Sequence, residues 1–192
     1  MEALSTSTAL VALAEMGDKT QLLAMLLATR FRKPLPIMLG ILAATLANHF
    51  LAALLGHSIA GVLTQDWFRY TVAASFLAMA GWTLIPDTFD EDEPFKANGR
   101  AGVFVTTLVA FFLVEMGDKT QVATVALGAR FDNVFAVTAG TTLGMMIANV
   151  PAVLFGEALA KKVPMRLLQI GAALLFLGLG MWMIADLQGW IG

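Results

Sequence analysis

Apolar residues fall in six long blocks, at approximately 4–29, 34–56, 67–86, 101–129, 133–157 and 165–186. At about 1.5 Å per helical residue, each block is long enough to cross roughly 30 Å of hydrocarbon, so the pattern predicts six transmembrane helices. The breaks carry charge and proline: Arg30-Phe31-Arg32-Lys33-Pro34 after the first block, Arg130-Phe131-Asp132-Asn133 after the fourth, and Lys161-Lys162-Val163-Pro164 between the fifth and sixth. One longer polar stretch, Pro86 to Arg100, contains the acidic run Asp90-Glu91-Asp92-Glu93 and reads as a solvated linker, with cation collection as its alternative role. The expected organisation is therefore a three-helix unit at 1–86, an acidic linker at 87–100 and a second three-helix unit at 101–192.

Two of the blocks are interrupted by the same heptapeptide. Glu15-Met16-Gly17-Asp18-Lys19-Thr20-Gln21 recurs as Glu115-Met116-Gly117-Asp118-Lys119-Thr120-Gln121, one hundred residues later and identical at every position. The repeat continues beyond it, with Arg30-Phe31 matching Arg130-Phe131, Gly40 matching Gly140, Gly56 matching Gly156 and Trp82 matching Trp182. Ala47-Asn48 matches Ala148-Asn149 after a one-residue shift. Because each unit has an odd number of spans, the second must enter the membrane from the opposite side. The predicted fold is all-α, a polytopic membrane protein of two inverted three-helix repeats with a site near the midplane.

Composition agrees with this pattern. Of 192 residues, 58% are hydrophobic and 14% charged, against about 45–50% and 25% in soluble domains. A net charge of −2 offers no basic surface for nucleic acid. Cysteine is absent, which removes disulfides and thiolate metal sites. The opening Met1-Glu2-Ala3-Leu4 has no basic residue, so the first block is expected to remain as a helix rather than act as a cleaved signal. With both termini on one side, Arg30, Arg32, Lys33, Lys96, Arg100, Lys161, Lys162 and Arg166 gather on the other, leaving only Arg69 and Arg130 on the terminal side. The positive-inside tendency then places the termini outside the cytoplasm and the linker within it.

The first heptapeptide begins about 16 Å into its helix, near the bilayer centre, where ionised groups are costly unless partners or an ion replace their hydration. On a helix, Glu15 and Asp18 share a face, as do Glu115 and Asp118, with Gln21 and Gln121 one step further along. Lys19 and Lys119 stand four residues from Glu15 and Glu115, the spacing of an intrahelical ion pair. Gly17 and Gly117 permit close approach or local unwinding that frees carbonyls. If the two helices meet, four carboxylates converge that cannot all remain ionised. Two lysines and one divalent cation balance them, and protons can replace the cation. That competition is the basis of cation/proton antiport.

Carboxylate, amide and hydroxyl oxygens suit hard cations such as Ca²⁺, Mn²⁺ and Mg²⁺. The candidate metal ligands are Glu15, Asp18, Gln21, Glu115, Asp118 and Gln121, supported by Lys19, Thr20, Asn48, Lys119, Thr120 and Asn149. For Asn48 and Asn149 an interhelical hydrogen bond is the competing reading. Met16, Met116, Met145 and Met146 read first as packing and only secondarily as soft ligands. His49 has Val150 as its counterpart and is expected near the extracytoplasmic end or packed, with a proton role as the alternative. Trp82, Trp182 and Trp190 read as interfacial anchors. Gly17-Asp18-Lys19-Thr20 is not a phosphate loop, because an upstream glycine is missing and a carboxylate would face the phosphate. An intramembrane aspartyl protease would not need Glu and Gln in both copies. A non-transporting scaffold held by self-neutralised polar patches leaves Asp18 and Asp118 unexplained.

Two E-x-G-D-K-[TS] signatures on the first and fourth of six helices, around an acidic central loop, resemble the GDT-type cation exchangers of Golgi and bacterial inner membranes. The resemblance spans essentially the whole chain. It implies transport of Mn²⁺ or Ca²⁺ coupled to protons, through Glu15, Asp18, Glu115 and Asp118, with no bound cofactor and no enzymatic activity. The short chain is similar to bacterial members acting as manganese exporters, which implies an inner-membrane location.

Overall fold

The computed structural model describes residues 1–62, 66–85, 99–156 and 165–190, and all regular structure among them is helical. Eight helices are described: α1 (Glu2–Glu15), α2 (Lys19–Phe31), α3 (Pro34–Val62), α4 (Asp66–Trp82), α5 (Gly99–Glu115), α6 (Lys119–Arg130), α7 (Val134–Phe155) and α8 (Met165–Leu187). The acidic run and the Lys161-Lys162-Val163-Pro164 break lie outside the described residues. The first and fourth apolar blocks are each divided in two at the heptapeptide, whereas the second continues as helix to Val62.

Three of these helices are long and apolar enough to cross a membrane: 34–60, 134–155 and 169–187. A fourth crossing arises if α5 and α6, bent by 72° at their junction, are taken as one span. Apolar side chains are also turned outward along helical stripes. Leu35, Leu39, Leu42 and Leu46 line α3, and Leu167, Leu174, Leu177 and Met181 line α8. Such continuous exposed apolar surface is unfavourable in water and is satisfied by lipid.

The two halves interlock rather than sit side by side. The main packing of α1 is on α7 and α8, and that of α5 is on α3. Likewise α6 packs on α3 and α4, while α4 lies along α8. The interlock depends on two matched glycines. A Cβ at Gly40 would fall 2.9 Å from Phe104 O and 2.8 Å from Thr107 Cβ. A Cβ at Gly140 would fall 2.6 Å from Leu4 O and 2.8 Å from Ser7 Cβ. Phe104 and Thr107 are one hundred residues beyond Leu4 and Ser7, so the same close helix crossing is built twice.

One apolar cluster gathers Leu10, Val11, Phe76, Met79, Met145 and Phe176, and a second gathers Leu23, Leu27, Ile37, Ile41, Phe111 and Val153. Buried polar residues come from both heptapeptides, from α3 (Thr45, Asn48 and His49) and from α7 (Thr138, Thr141, Thr142 and Asn149).

Candidate functional site

Both heptapeptides interrupt their helices. After Glu15 the chain leaves the helix, passes Gly17 at φ +86° and resumes at Lys19; after Glu115 it passes Gly117 at φ +77° and resumes at Lys119. Only glycine adopts this left-handed backbone without steric cost. The glutamine of each motif closes the broken turn, because Gln21 Oε1 accepts from the Gly17 N–H at 2.9 Å and Gln121 Oε1 accepts from the Gly117 N–H at 2.7 Å. Gln21 also donates through Nε2 to the Ala148 carbonyl on α7, at 3.1 Å. Each candidate glutamine ligand therefore already has its oxygen engaged in shaping the backbone.

Asp18 and Asp118 stand at the N-cap positions of α2 and α6 in extended conformation, yet neither side chain makes a capping hydrogen bond. They reach across to the opposite motif instead. Lys119 Nζ is 2.9 Å from Asp18 Oδ1, and Lys19 Nζ is 2.8 Å from Asp118 Oδ1. The partial positive charge of each helix N-terminus further favours a carboxylate there. The sequence spacing suggested i,i+4 pairs with Glu15 and Glu115, but that geometry requires continuous helix through residues 16–18 and 116–118. With the helix broken, each lysine is presented to the aspartate of the other half.

Glu15, Asp18 and Asp118 each offer a carboxylate oxygen within 4.8 Å of the others, and all three are buried. Thr20 donates to Glu15 Oε2, and Thr120 donates to Asp118 Oδ2 at 3.3 Å. Glu115, also fully buried, has a different setting. Thr45 on α3 donates to its Oε1 at 3.3 Å, and His49 Nε2 lies 3.8 Å from its Oε2. Glu115 is still close enough to Asp18, Asp118 and Glu15 for their charges to act on one another. All four predicted carboxylates thus converge, three in a tight cluster and the fourth beside it.

Asn48 donates to the Phe112 carbonyl on α5 at 3.0 Å, which is the interhelical bond weighed from the sequence. Asn149 donates within its own helix to the Met145 carbonyl at 3.1 Å, and its Oδ1 accepts no hydrogen bond among the described residues. Met116 is exposed, whereas Met145 is fully buried. Of the two placements expected for His49, the packed one holds: the side chain is fully buried, with Nε2 3.8 Å from Glu115 Oε2. Thr45 was missed altogether. The signal was present, since positions 45, 48 and 49 share one face of α3 and place three polar groups where an apolar helix should have none.

A group of buried, converging carboxylates with hydroxyl partners and two ammonium counter-charges can hold a hard divalent cation. In its absence the same oxygens can take protons.

Comparison with known proteins follows the same line. The family model described as divalent cation/proton antiporter GDT1 matches residues 3–91 and 103–189. A Vibrio cholerae protein named "Putative manganese exporter" is 51% identical over 178 residues, covering 92% of this chain and 88% of that protein. A GDT1-like protein of Synechocystis is 29% identical over 196 residues, covering 92% of this chain and 93% of its own length. GDT1-like protein 5 of Arabidopsis thaliana is 26% identical over 216 residues, covering 94% of each chain. No solved structure matches.

Proposed function

We propose, from the premise that this chain belongs to the GDT1 family of divalent cation/proton antiporters, that it exports Mn²⁺ from the cytoplasm in exchange for protons. The family is one of transporters, so the chain is a transporter and not an enzyme. The observation that carries the finer reading is the buried cluster of Glu15, Asp18 and Asp118, assembled from both heptapeptides and bordered by Glu115. Glu15, Asp18, Glu115 and Asp118 ligate the ion. Thr20 and Thr120 orient two of those carboxylates, and Gln21 and Gln121 hold the broken backbone that presents them.

Lys19 and Lys119 supply two of the four positive charges that the carboxylates require. The cation supplies the other two, and protons take its place when it leaves. Because neither carrier can depart without the other arriving, transport is coupled.

The reading includes six spans arranged as inverted repeats at 1–86 and 101–192, with α1–α2 and α5–α6 as broken spans. Support comes from the doubled motif, the matched Gly40 and Gly140 crossings and the break at the same place in both halves. Discontinuous helices at a midplane site are the expected form for such a transporter. Both termini face outward and the linker faces the cytoplasm, in a bacterial inner membrane. Ca²⁺ is the alternative cargo, since an all-oxygen carboxylate set suits it equally.

The test is transport in proteoliposomes carrying a pH-sensitive dye. A Mn²⁺ gradient is expected to drive proton movement, and Glu15→Gln or Asp118→Asn to abolish it. Proton movement that survives those substitutions would overturn the site, and none with any divalent cation would overturn the exchange.

A further inference from the structure

His49 is a buried polar group that the motif chemistry does not use. It sits on α3, fully buried, and neither Nδ1 nor Nε2 has a hydrogen-bond partner among the described residues. An imidazole buried in that manner is costly, and buried polar groups left unsatisfied call for an explanation. The repeat itself does not require it, because the matching position in the second half is Val150. A side chain kept for packing alone would be served by valine there too.

What the ring faces is a carboxylate. Nε2 stands 3.8 Å from Glu115 Oε2, and that oxygen also lacks a hydrogen-bond partner among the described residues. The separation is too long for a hydrogen bond. It matches the gap between two ligand atoms of one first-row metal ion, which lie roughly 3 to 4 Å apart when each is about 2.1 Å from the ion. The other Glu115 oxygen is already held by the Thr45 hydroxyl at 3.3 Å, which fixes the carboxylate so that Oε2 is turned to the imidazole.

We propose that His49 is the specificity-determining residue of this transporter, supplying a nitrogen ligand beside Glu115 that favours Mn²⁺ over Ca²⁺. The inference rests on the cation-exchange reading of the carboxylate site and adds the residue that decides between its two cargoes. Calcium takes six to eight oxygens, whereas Mn²⁺, though it also prefers oxygen, belongs to the first-row series whose ions bind mixed nitrogen and oxygen sites. A nitrogen in the ligand set therefore penalises Ca²⁺ by replacing an oxygen, and stabilises Mn²⁺. It does not by itself choose Mn²⁺ among first-row ions, for which affinity rises from Mn²⁺ towards Cu²⁺; geometry and availability set that choice.

The experiment combines spectroscopy and transport on the full chain, purified without a histidine tag and loaded with Mn²⁺. Electron spin-echo envelope modulation of the bound ion is expected to show an imidazole ¹⁴N coupling that changes to ¹⁵N when histidine is isotopically labelled. This reading needs no variant, so it does not depend on whether a substituted chain folds. The coupling is expected to vanish in His49→Gln and to persist in His57→Gln, the second of the two histidines in the sequence. In proteoliposomes, His49→Gln and His49→Val are expected to raise KM for Mn²⁺ about 10–100-fold, and His49→Gln, whose amide restores an oxygen, to lower KM for Ca²⁺. Mn²⁺ bound to the unsubstituted protein without nitrogen coupling would overturn the assignment, as would an unchanged Mn²⁺/Ca²⁺ ratio in both variants. Those outcomes leave Mn²⁺-driven proton movement intact. If the unsubstituted protein moves protons with neither cation, the exchange reading fails and this inference falls with it.

Discussion

Lys19 and Asp118 meet at 2.8 Å although ninety-nine positions separate them, and the mirror pair of Lys119 and Asp18 meets at 2.9 Å. Each half of the molecule therefore neutralises the other's aspartate. The two pairs differ in exposure, with the Lys19 side chain 25% exposed and that of Lys119 only 4%.

That difference predicts unequal costs. Lys119→Met removes one member of the buried ion pair with Asp18 and is expected to destabilise the protein by about 3–5 kcal/mol. Lys19→Met should cost less, because water reaches the site of the lost charge. Thermal melts in detergent check both. Added Mn²⁺ is expected to raise the midpoint of Lys119→Met more than that of the unsubstituted chain, since the ion then meets a cluster with one positive charge fewer beside it.

Proton and cation compete for the same oxygens, so acidification is expected to weaken Mn²⁺ binding. The sign follows from ligation: a protonated carboxyl must release its proton before it binds the ion. The apparent Kd should rise by up to about tenfold per pH unit for each proton displaced. Glu15→Gln removes one exchangeable site and should flatten the slope, in isothermal titration with Mn²⁺ at stepped pH. A Kd independent of pH would sink shared protonation.

The matched crossings predict matched injuries. Gly40→Val and Gly140→Val both drive a branched side chain into the backbone of a neighbouring helix, at the carbonyls of Phe104 and Leu4. Each is expected to cost at least about 1–3 kcal/mol, the range for overpacking, and to lower the yield of folded protein. The same substitution at Gly178, whose surroundings are open within 4 Å, is the control and should be tolerated far better. Fluorescence-detected size exclusion separates the three.

Because the chain has no cysteine, single cysteines report its orientation directly. Glu2→Cys and Gln188→Cys are expected to react with an impermeant maleimide in intact cells. Arg100→Cys should react only after the inner membrane is opened. Labelling of all three from outside would sink the proposed topology.

Much of the site was legible because an apolar background makes its exceptions visible. Glu15, Asp18, Glu115 and Asp118 stand out in lipid-like sequence, and their duplication pointed to the convergence that the structure has for Glu15, Asp18 and Asp118. The glycine of each motif marked a place where the helix could open, and it does. Pairing was not legible. A spacing of four residues pointed Lys19 to Glu15, and only the break at residues 16–18, with the crossing of two distant helices, redirects it to Asp118. The neighbour of His49 was not legible for a related reason: depth along a helix can be counted from sequence, but which distant side chain it faces depends on how α3 crosses α5. The helical character of the apolar blocks was legible as well, although two of them are pairs of shorter helices and only three helices, or four spans with the bent α5–α6 pair, are long and apolar enough to cross a membrane among the described residues.

The interlocking of α1 with α7 and of α5 with α3 also bears on how such a chain is assembled. Neither half contains, within itself, the helix on which its own motif segment is mainly seated. Synthesised alone, the first half would leave α1 without its cradle and α3 with an empty one. Its simplest remedy is a second copy of itself, each lending α1 to the other. The single polypeptide is in effect a pair of subunits made in fixed one-to-one ratio, and the cluster of Glu15, Asp18 and Asp118 exists only once translation has delivered both.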